Sequence, residues 1–146
     1  HGVFRRQRQM CIRDRDENVR QKHRDEGLVL VCAPADQVGE HQTFIERTKK
    51  FYVFSQYSKF IQPGYKRVDL DAVSGVYASA YVGEDDNRLI AVIINDSETS
   101  KDVSIQVDAG YEFVSAHQTD KSRNCEQIGT SVVLPPQSVR TVVFQK

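Results

Sequence analysis

The stretch FYVFSQYSKFIQPGYKRV, Phe51–Val68, decides the fold of this chain. In its first half the apolar residues Phe54, Tyr57 and Ile61 follow a three-and-four spacing, which is typical of one face of an α-helix. The pair Pro63–Gly64 ends that pattern, because proline lacks an amide donor and glycine can adopt the positive φ of a type II turn. The sequence therefore predicts a helix before this pair and only strands after it.

Downstream of the turn, the repeat of the apolar residues changes from about 3.6 residues, as in a helix, to about 2 residues, as in a strand. In Val76–Val82 the alanines and valines lie on one face and the tyrosines and serine on the other, as in a half-buried strand. Leu89–Ile94 is apolar throughout, and Gly83–Asn87 between the two has the composition of a hairpin loop. Further strands are predicted at residues 103–107, 111–119, 132–134 and 139–144, with a polar loop at 120–129. Strands separated only by turns predict a mainly β fold, an antiparallel sandwich or barrel-like sheet.

Upstream of the helix the sequence predicts one more strand. Gly27–Cys32, GLVLVC, is a short continuous apolar run of the kind that buried strands show. Thr43–Glu46 has the form of a capping box, in which the threonine accepts from an early helix amide and the glutamate reaches back. Thr48 is a competing start. With either start, the helix is predicted to run to Ile61.

The first 26 residues have a different composition from the rest. They hold eight Lys and Arg against five Asp and Glu, whereas the remaining residues hold twelve against fifteen. Few apolar residues fall at regular spacing, which predicts a disordered basic arm. Nucleic-acid contact is the functional alternative, and it is disfavoured by the five acids, by the lack of an aromatic stacking platform and by the lack of a nucleic-acid-binding module downstream. The string MCIRDR, Met10–Arg15, resembles a translated adapter peptide found at the ends of gene models from short environmental reads, so part of the arm is interpreted as an artefact.

Several classes of function lack a signal in the sequence. There is no run of about 18 apolar residues for a membrane span and no apolar signal-peptide core. Cys11, Cys32 and Cys125 show neither metal-ligand spacing nor a disulfide framework, so we expect no metal and no cofactor. His117 is interpreted as a structural residue on a strand, because no partner lies at ligand spacing.

Two pairs of aspartates are the candidates for the two carboxylates of a glycosidase. Asp69 and Asp71 lie at strand spacing, and Asp85 and Asp86 lie in the predicted hairpin tip, where carboxylates are usually solvated turn formers. Serine elbows and glycine-rich phosphate loops are absent from the sequence. The residues therefore predict no catalytic site.

Tyr77 and Tyr81 are the best candidates for carbohydrate binding. Two tyrosines on one strand face can stack on sugar rings. The favoured alternative is that both pack against the helix or another layer, with each hydroxyl bonded at the rim of the interface.

The opening stretch and its continuation resemble glycoside hydrolase family 30, which includes bacterial glucuronoxylanases and lysosomal-type glucosylceramidases. In that family the last helix of the catalytic barrel ends in Ser-Lys-Phe-Ile, here Ser58–Ile61, followed by Pro-Gly-Tyr, a basic residue and valine, here Pro63–Val68. The resemblance continues with an apolar run ending in asparagine at Leu89–Asn95 and with Pro-x-Ser-Val-x-Thr at Pro136–Thr141. It covers roughly residues 44–146. Gln62 replaces a basic residue common in the xylanase-like branch, which leaves the substrate open.

The resemblance implies a parent enzyme, a retaining and usually exported hydrolase of β-linked glycans such as xylan or of β-glucosides. Such a parent has a (β/α)8 barrel and a side β-domain, and is secreted or periplasmic. Its two catalytic glutamates lie on earlier barrel strands that no part of this sequence matches. The chain is therefore expected to be a C-terminal fragment that is inactive alone. Residues 27–62 would be the end of the barrel with its last helix, and residues 63–146 the antiparallel β-sandwich.

The expected role of this fragment is to buttress the missing barrel, its expected partner, with polysaccharide as a possible further ligand. The residues expected to pack on the barrel are Phe54, Tyr57, Phe60 and Ile61. The absent barrel explains this apolar helix face better than anything downstream in the sequence. The alternative function is an independent carbohydrate-binding module that acts through Tyr77 and Tyr81.

Overall fold

The computed structural model describes residues 28–32, 44–71 and 74–146 of the chain. The predicted arm at residues 1–26 and the predicted loop after Cys32 lie outside these ranges. The chain divides into two compact units, His1–Phe51 and Tyr52–Lys146. The helix α1, Lys49–Ser58, contributes residues to both.

The described part of the first unit is an antiparallel strand pair that leads into α1. Strand β1, Val29–Cys32, pairs with β2, Phe44–Arg47. Next to β2, the amide and hydroxyl of Thr48 both donate to the carbonyl oxygen of Leu28, at 3.1 and 3.0 Å. These bonds hold the residue that precedes α1 against the start of β1.

The predicted strand within Gly27–Cys32 is confirmed, and the predicted capping box at Thr43–Glu46 is wrong. Phe44–Arg47 pairs as a strand, so it cannot form the first helical turn. The competing start is the one observed: the carbonyl of Thr48 accepts from the Phe51 amide at 3.0 Å as α1 begins. The ladder with β1 thus overrides a local capping pattern.

The end of the helix follows the prediction closely. Regular helix stops at Ser58, and the amide of Ile61 still donates to the Tyr57 carbonyl at 2.9 Å. A turn follows in which the Tyr65 amide donates to the Gln62 carbonyl at 3.2 Å, with Gly64 at φ +95°. The predicted type II turn at Pro63–Gly64 is therefore confirmed.

A six-stranded antiparallel sheet forms the centre of the second unit. Its strands are β3 (Lys66–Val68), β4 (Tyr77–Gly83), β5 (Arg88–Asn95), β7 (Glu112–Thr119), β8 (Glu126–Ile128) and β10 (Ser138–Gln145). Their spatial order is β3-β4-β5-β10-β7-β8. Two short strands, β6 (Lys101–Asp102) and β9 (Val133–Leu134), form a separate ribbon. The fold is mainly β and antiparallel with one helix among the described residues, as predicted.

Two of the predicted segments differ from the structure. The predicted loop at residues 120–129 contains β8, which pairs with β7. The predicted strand at residues 103–107 is wrong, because its only ladder residues are the preceding Lys101 and Asp102. Val103, Ile105 and Val107 nevertheless contact the sheet, so the alternation correctly predicted which side chains turn inward.

Both faces of the sheet are covered at its centre, and strand β10 is buried along almost its whole length. One face carries a core cluster of Ile90, Val92, Val139 and Val143, and the side chains of α1 and of the turn after it pack on this cluster. The opposite face packs on the β6–β9 ribbon and on residues 103–107, through clusters that contain Ile93, Val103, Leu134, Ala116, Val142 and Phe144. The strand is therefore buried on both sides, as expected for a central strand between two layers.

Gln56 fastens α1 to the sheet. Its side chain is fully buried, and its amide satisfies every group around it when the nitrogen faces Thr141 Oγ1 (2.6 Å) and the His117 carbonyl (3.2 Å). The amide oxygen then accepts from the amide and hydroxyl of Thr119, at 3.0 and 2.9 Å. The Thr141 hydroxyl in turn donates to the Gln56 backbone carbonyl at 2.7 Å. One helix residue is thus bonded to two neighbouring strands, β7 and β10.

The link between α1 and β3 is held by Tyr65. Its hydroxyl donates to the Asp86 carboxylate in the β4–β5 loop, and burial, with Asp86 adding to it, raises the pKa of Tyr65 to about 12. Gly83 lies directly beneath this contact. A Cβ at Gly83 would come within 2.4 Å of both Tyr65 Cε1 and Asp86 Oδ1. The contact therefore requires a residue without a side chain at this position.

We expect Gln56→Leu to lower the free energy of unfolding by about 3 kcal/mol, because it strands buried hydrogen-bonding groups on Thr119 and Thr141. The measurement is urea denaturation followed by circular dichroism. Phe54→Ala is the matched control on the same helix, since Phe54 is 61% exposed, and it should change stability by less than about 0.5 kcal/mol. Equal losses in both variants would contradict this account of Gln56.

We expect Gly83→Ala to cost about 1–3 kcal/mol, because the added methyl displaces Tyr65 and Asp86. Gly129→Ala is the control, since a Cβ there meets nothing within 4 Å. Thermal melting of the two variants checks the prediction. If Gly83→Ala has the same Tm as the wild type, the contact between Tyr65 and Asp86 does not require glycine at this position.

Candidate functional site

The two tyrosines predicted to bind sugar lie on the same sheet face as α1 but in different surroundings. Tyr81 lies opposite Ile90 on β5 and is partly buried, packed against the core cluster beneath the helix. Tyr77 lies opposite Ile94 and is 63% exposed. The structure therefore leaves one accessible ring, Tyr77, rather than a pair, and carbohydrate binding by these residues remains a prediction.

The four residues predicted to contact the barrel also separate into two groups. Tyr57, Phe60 and Ile61 pack on the sheet of their own unit, next to Val139 and Val143. The expectation that nothing downstream covers this helix face is therefore wrong, because the strands supply an apolar surface at the position of the helix. Phe54 is 61% exposed and is the member of the set that the sheet leaves open. Contact of these residues with a barrel stays a prediction.

An open groove of about 690 Å3 lies on the opposite face of the sheet. Strands β4 and β5 line it on one side and residues 103–108 on the other. Aliphatic side chains such as Val82, Ile93 and Ile105 dominate the lining, and Tyr111 is its aromatic residue. Sugar sites usually offer an aromatic platform with converging polar groups, so this aliphatic groove is not a typical glycan site.

The carboxylates weighed as a glycosidase pair lie in two different places, at the edge of the groove and in the β4–β5 loop. Asp69 and Asp71 are exposed beside the groove. Asp86 is occupied by the Tyr65 hydroxyl and, at 3.3 Å, by the Arg88 amide. Within the described residues, no group of three or more His, Cys, Asp or Glu is placed to hold a metal ion. Residues 28–32, 44–71 and 74–146 also contain no helix long and apolar enough to cross a membrane.

The carboxylate that the described residues bury is Asp120, at the end of β7. Its Oδ1 accepts from the Ser122 amide (2.8 Å), the Ser122 hydroxyl (2.9 Å) and the Arg123 amide (2.8 Å). Its Oδ2 accepts from Gln118 Nε2 (2.6 Å) and Arg123 Nη1 (2.9 Å). Burial alone would raise the pKa of Asp120, but these bonds outweigh it and hold the pKa well below its ordinary value. A carboxyl in this state is an anion near neutral pH and a poor general acid.

Sequence reasoning missed a buried network of polar side chains that continues from Asp120. Gln118 Oε1 accepts from Arg140 Nε at 3.0 Å and from Nη2 at 2.6 Å. The guanidinium also donates to the carbonyls of Ser131 and Val133, both at 2.5 Å. Burial lowers the pKa of Arg140. A charged residue in an otherwise largely apolar strand was the one feature of the sequence that could have indicated this network. The hydrogen bonds of Arg140 join the β9 segment to the sheet.

The geometry defines a mainly β domain, an antiparallel sheet with a helix hydrogen-bonded to one face. The chain belongs to the glycosyl hydrolase family 30 beta sandwich domain family, whose model matches residues 64–142. It is 35% identical over 111 residues to the glucuronoxylanase XynC of Bacillus subtilis (strain 168). That alignment covers 68% of this chain and 26% of the relative.

Solved xylanase structures share the fold. A GH30 endoxylanase from Clostridium papyrosolvens C71 matches with 34% identity and a TM-score of 0.60, over 68% of this chain and 28% of that one. The family 30 subfamily 8 xylanase Xyn30A from Clostridium acetobutylicum matches with 32% identity and a TM-score of 0.61, over 69% and 29%. The chain therefore spans between a quarter and a third of the length of these relatives.

We expect stability to fall as the solution becomes acidic enough to protonate Asp120. Because the pKa of Asp120 is lower in the folded than in the unfolded chain, its contribution is complete above the unfolded value of about 3.9 and is lost as pH falls below it. Thermal melting between about pH 6 and pH 2 should show this loss. Asp120→Asn should be less stable at neutral pH and should lose less on acidification. Parallel curves for the two proteins would contradict the assignment to Asp120.

Proposed function

We propose that this chain is the non-catalytic C-terminal β-domain of a retaining glycoside hydrolase and that it packs against and supports the catalytic barrel. The observation that carries the proposal is the extent of the family match, which falls on the sandwich domain at residues 64–142 while the chain spans only 26% of the curated relative. In this proposal residues 27–62 are the end of the barrel, with α1 as its last helix. Residues 63–146 are the β-domain.

The two sides of α1 support a bridging role. One side is committed to the sheet through the Gln56 amide and through the packing of Tyr57. The other side carries Phe54, a large apolar residue that is 61% exposed. A helix that is bonded on one face and exposes a large aromatic ring on the other suits the position between a barrel and an accessory domain, because exposed apolar surface is favourably buried against a partner.

The parent's substrate is proposed from its relatives. The named relatives are a glucuronoxylanase, an endoxylanase and a xylanase, so we propose xylan, a β-linked glycan, ahead of β-glucosides. Their chemistry also leads us to propose a secreted or periplasmic parent, since xylan lies outside the cell. None of these activities is assigned to the residues of this chain.

The purified chain should release no reducing ends from glucuronoxylan and no aglycone from an aryl β-glycoside. The reason is that the family's catalytic glutamates lie on barrel strands that no part of this sequence matches. The buried carboxylate, Asp120, is held as an anion by five hydrogen bonds and is a poor proton donor. Reducing-sugar assay and chromogenic assay measure the two activities. Turnover that follows the purified chain through two further columns would overturn the proposal.

Phe54→Asp should separate a supporting domain from an independent binding module. In the intact parent enzyme, it should lower Tm by several degrees, because a charge would enter the barrel contact. In this chain alone, Phe54 is exposed and Tm should stay within about 2 °C. An unchanged Tm in the parent would contradict a role of Phe54 in the contact with the barrel.

The binding-module alternative is tested through the accessible tyrosine. Affinity electrophoresis in gels that contain xylan or β-glucan should show the same mobility for the chain and for Tyr77→Ala. Retardation by xylan that Tyr77→Ala abolishes would favour the module. Tyr81→Ala is a poor control because Tyr81 packs in the core.

A further inference from the structure

His117 lies where the end of the helix meets the sheet. It projects from β7 on the face that α1 covers, and its ring centroid is 4.6 Å from that of Phe60, with the planes inclined at 43°. Phe60 belongs to the turn that follows α1 and packs on the core cluster of this face. The backbone carbonyl of His117 also accepts from the Gln56 amide at 3.2 Å. The imidazole therefore contributes to the packing of α1 and the turn after it on the sheet, the contact in which Gln56 also takes part.

The surroundings of this imidazole favour its neutral form. Nδ1 is buried, and within the described part of the chain it has no hydrogen-bond partner. A proton added there would create a buried donor with no acceptor, which is costly. Burial is the main cause that lowers the pKa of His117, and the positive charge of Lys59 adds to it, against a smaller opposite effect of the Cys125 backbone.

The charged and titratable groups near the ring are few. From the turn after α1 comes Lys59, whose Nζ lies 5.4 Å from the centroid of the Phe60 ring. From the β7–β8 loop comes Cys125, whose thiol has its pKa raised by burial and is therefore neutral. The residues opposite His117 on β10 and β8 are Thr141 and Gln127, which carry no charge. In the described part of the chain, these neighbours supply no carboxylate beside the ring to stabilise an imidazolium.

We propose that the contact between His117 and Phe60 is an acid-sensitive joint, in which protonation of the imidazole weakens the packing of the end of α1 on the sheet. The unfolded chain binds a proton at the ordinary histidine value of about 6.5, whereas the folded chain resists it. Stability from this contact is therefore complete above that value and is lost as pH falls below it. This pH range lies above the range in which Asp120 is protonated, so the losses of stability from the two groups can be separated. The proposal concerns contacts inside the second unit and does not depend on a role in supporting a barrel.

The test compares thermal melting at about pH 7.5 and pH 5.5 for the wild type, His117→Gln and His117→Phe. We expect the Tm of the wild type to fall by about 4 °C or more and the Tm of both variants to fall by less than half as much. The comparison is the change with pH within each protein, so a variant that is less stable at both pH values remains informative. Equal changes in all three proteins would overturn the proposal.

Lys59→Gln provides a second test that leaves the ring in place. Removing the neighbouring positive charge should bring the pKa of His117 closer to its ordinary value and should reduce the loss of Tm on acidification. The C2 proton of His117 followed by NMR gives this pKa directly, and it should lie below about 6.5 in the wild type. A value at or above that number in the wild type would show that the fold does not resist protonation.

Hydrogen exchange distinguishes a local joint from general acid instability. Exchange of the amides in residues 52–61 should accelerate more than exchange in β5 when the pH falls from about 7.5 to 5.5, after correction for the intrinsic rate. In His117→Gln the two regions should keep their relative rates. Uniform acceleration in the wild type would contradict a joint at the end of the helix.

Discussion

The hydrogen bonding of the Gln56 side chain to two paired strands, β7 and β10, is the contact on which the second unit depends. A buried amide must have both its donor and acceptor satisfied, and here Thr119 on β7 and Thr141 on β10 satisfy them. Non-directional apolar packing would let the helix slide along the sheet, whereas these bonds permit one position. Tyr57 and its neighbours then pack on the valines and isoleucines of the central strands.

The opposite face of the sheet is organised by a second buried polar network. Arg140 points away from the helix and binds the carbonyls of Ser131 and Val133, while Gln118 connects it to the anionic Asp120. Hydrogen bonds to every one of these groups offset part of the cost of burying the guanidinium. Strand β10 therefore carries one polar anchor on each face, Thr141 towards the helix and Arg140 towards the β9 segment. Burial of β10 on both sides is a consequence of these two layers.

Much of this fold follows from local sequence patterns. Where the structure differs from the prediction, the cause can be identified. The alternation in Val76–Val82 and the turn at Pro63–Gly64 predicted β4 and the end of the helix because burial and backbone restriction are local properties. Residues 103–107 alternate equally well but have no ladder, because pairing needs a second strand that a pattern does not reveal. The capping box at Thr43–Glu46 was overridden in the same way, by pairing with β1. For the candidate site, the pattern placed Tyr77 and Tyr81 on one face but could not show that only Tyr77 is open.

By itself, the sequence determined the class of fold, the position of the helix and the family, since the motif from Ser58 to Val68 and the strand alternation are contiguous in the chain. Only the tertiary structure decided which helix residues face the sheet and which polar residues are buried. Gln56 is separated from Thr119 by 63 residues and from Thr141 by 85. Contacts at such distances arise when the chain folds back on itself, and hydrogen-bond partners brought together in that way leave no periodic mark in the sequence.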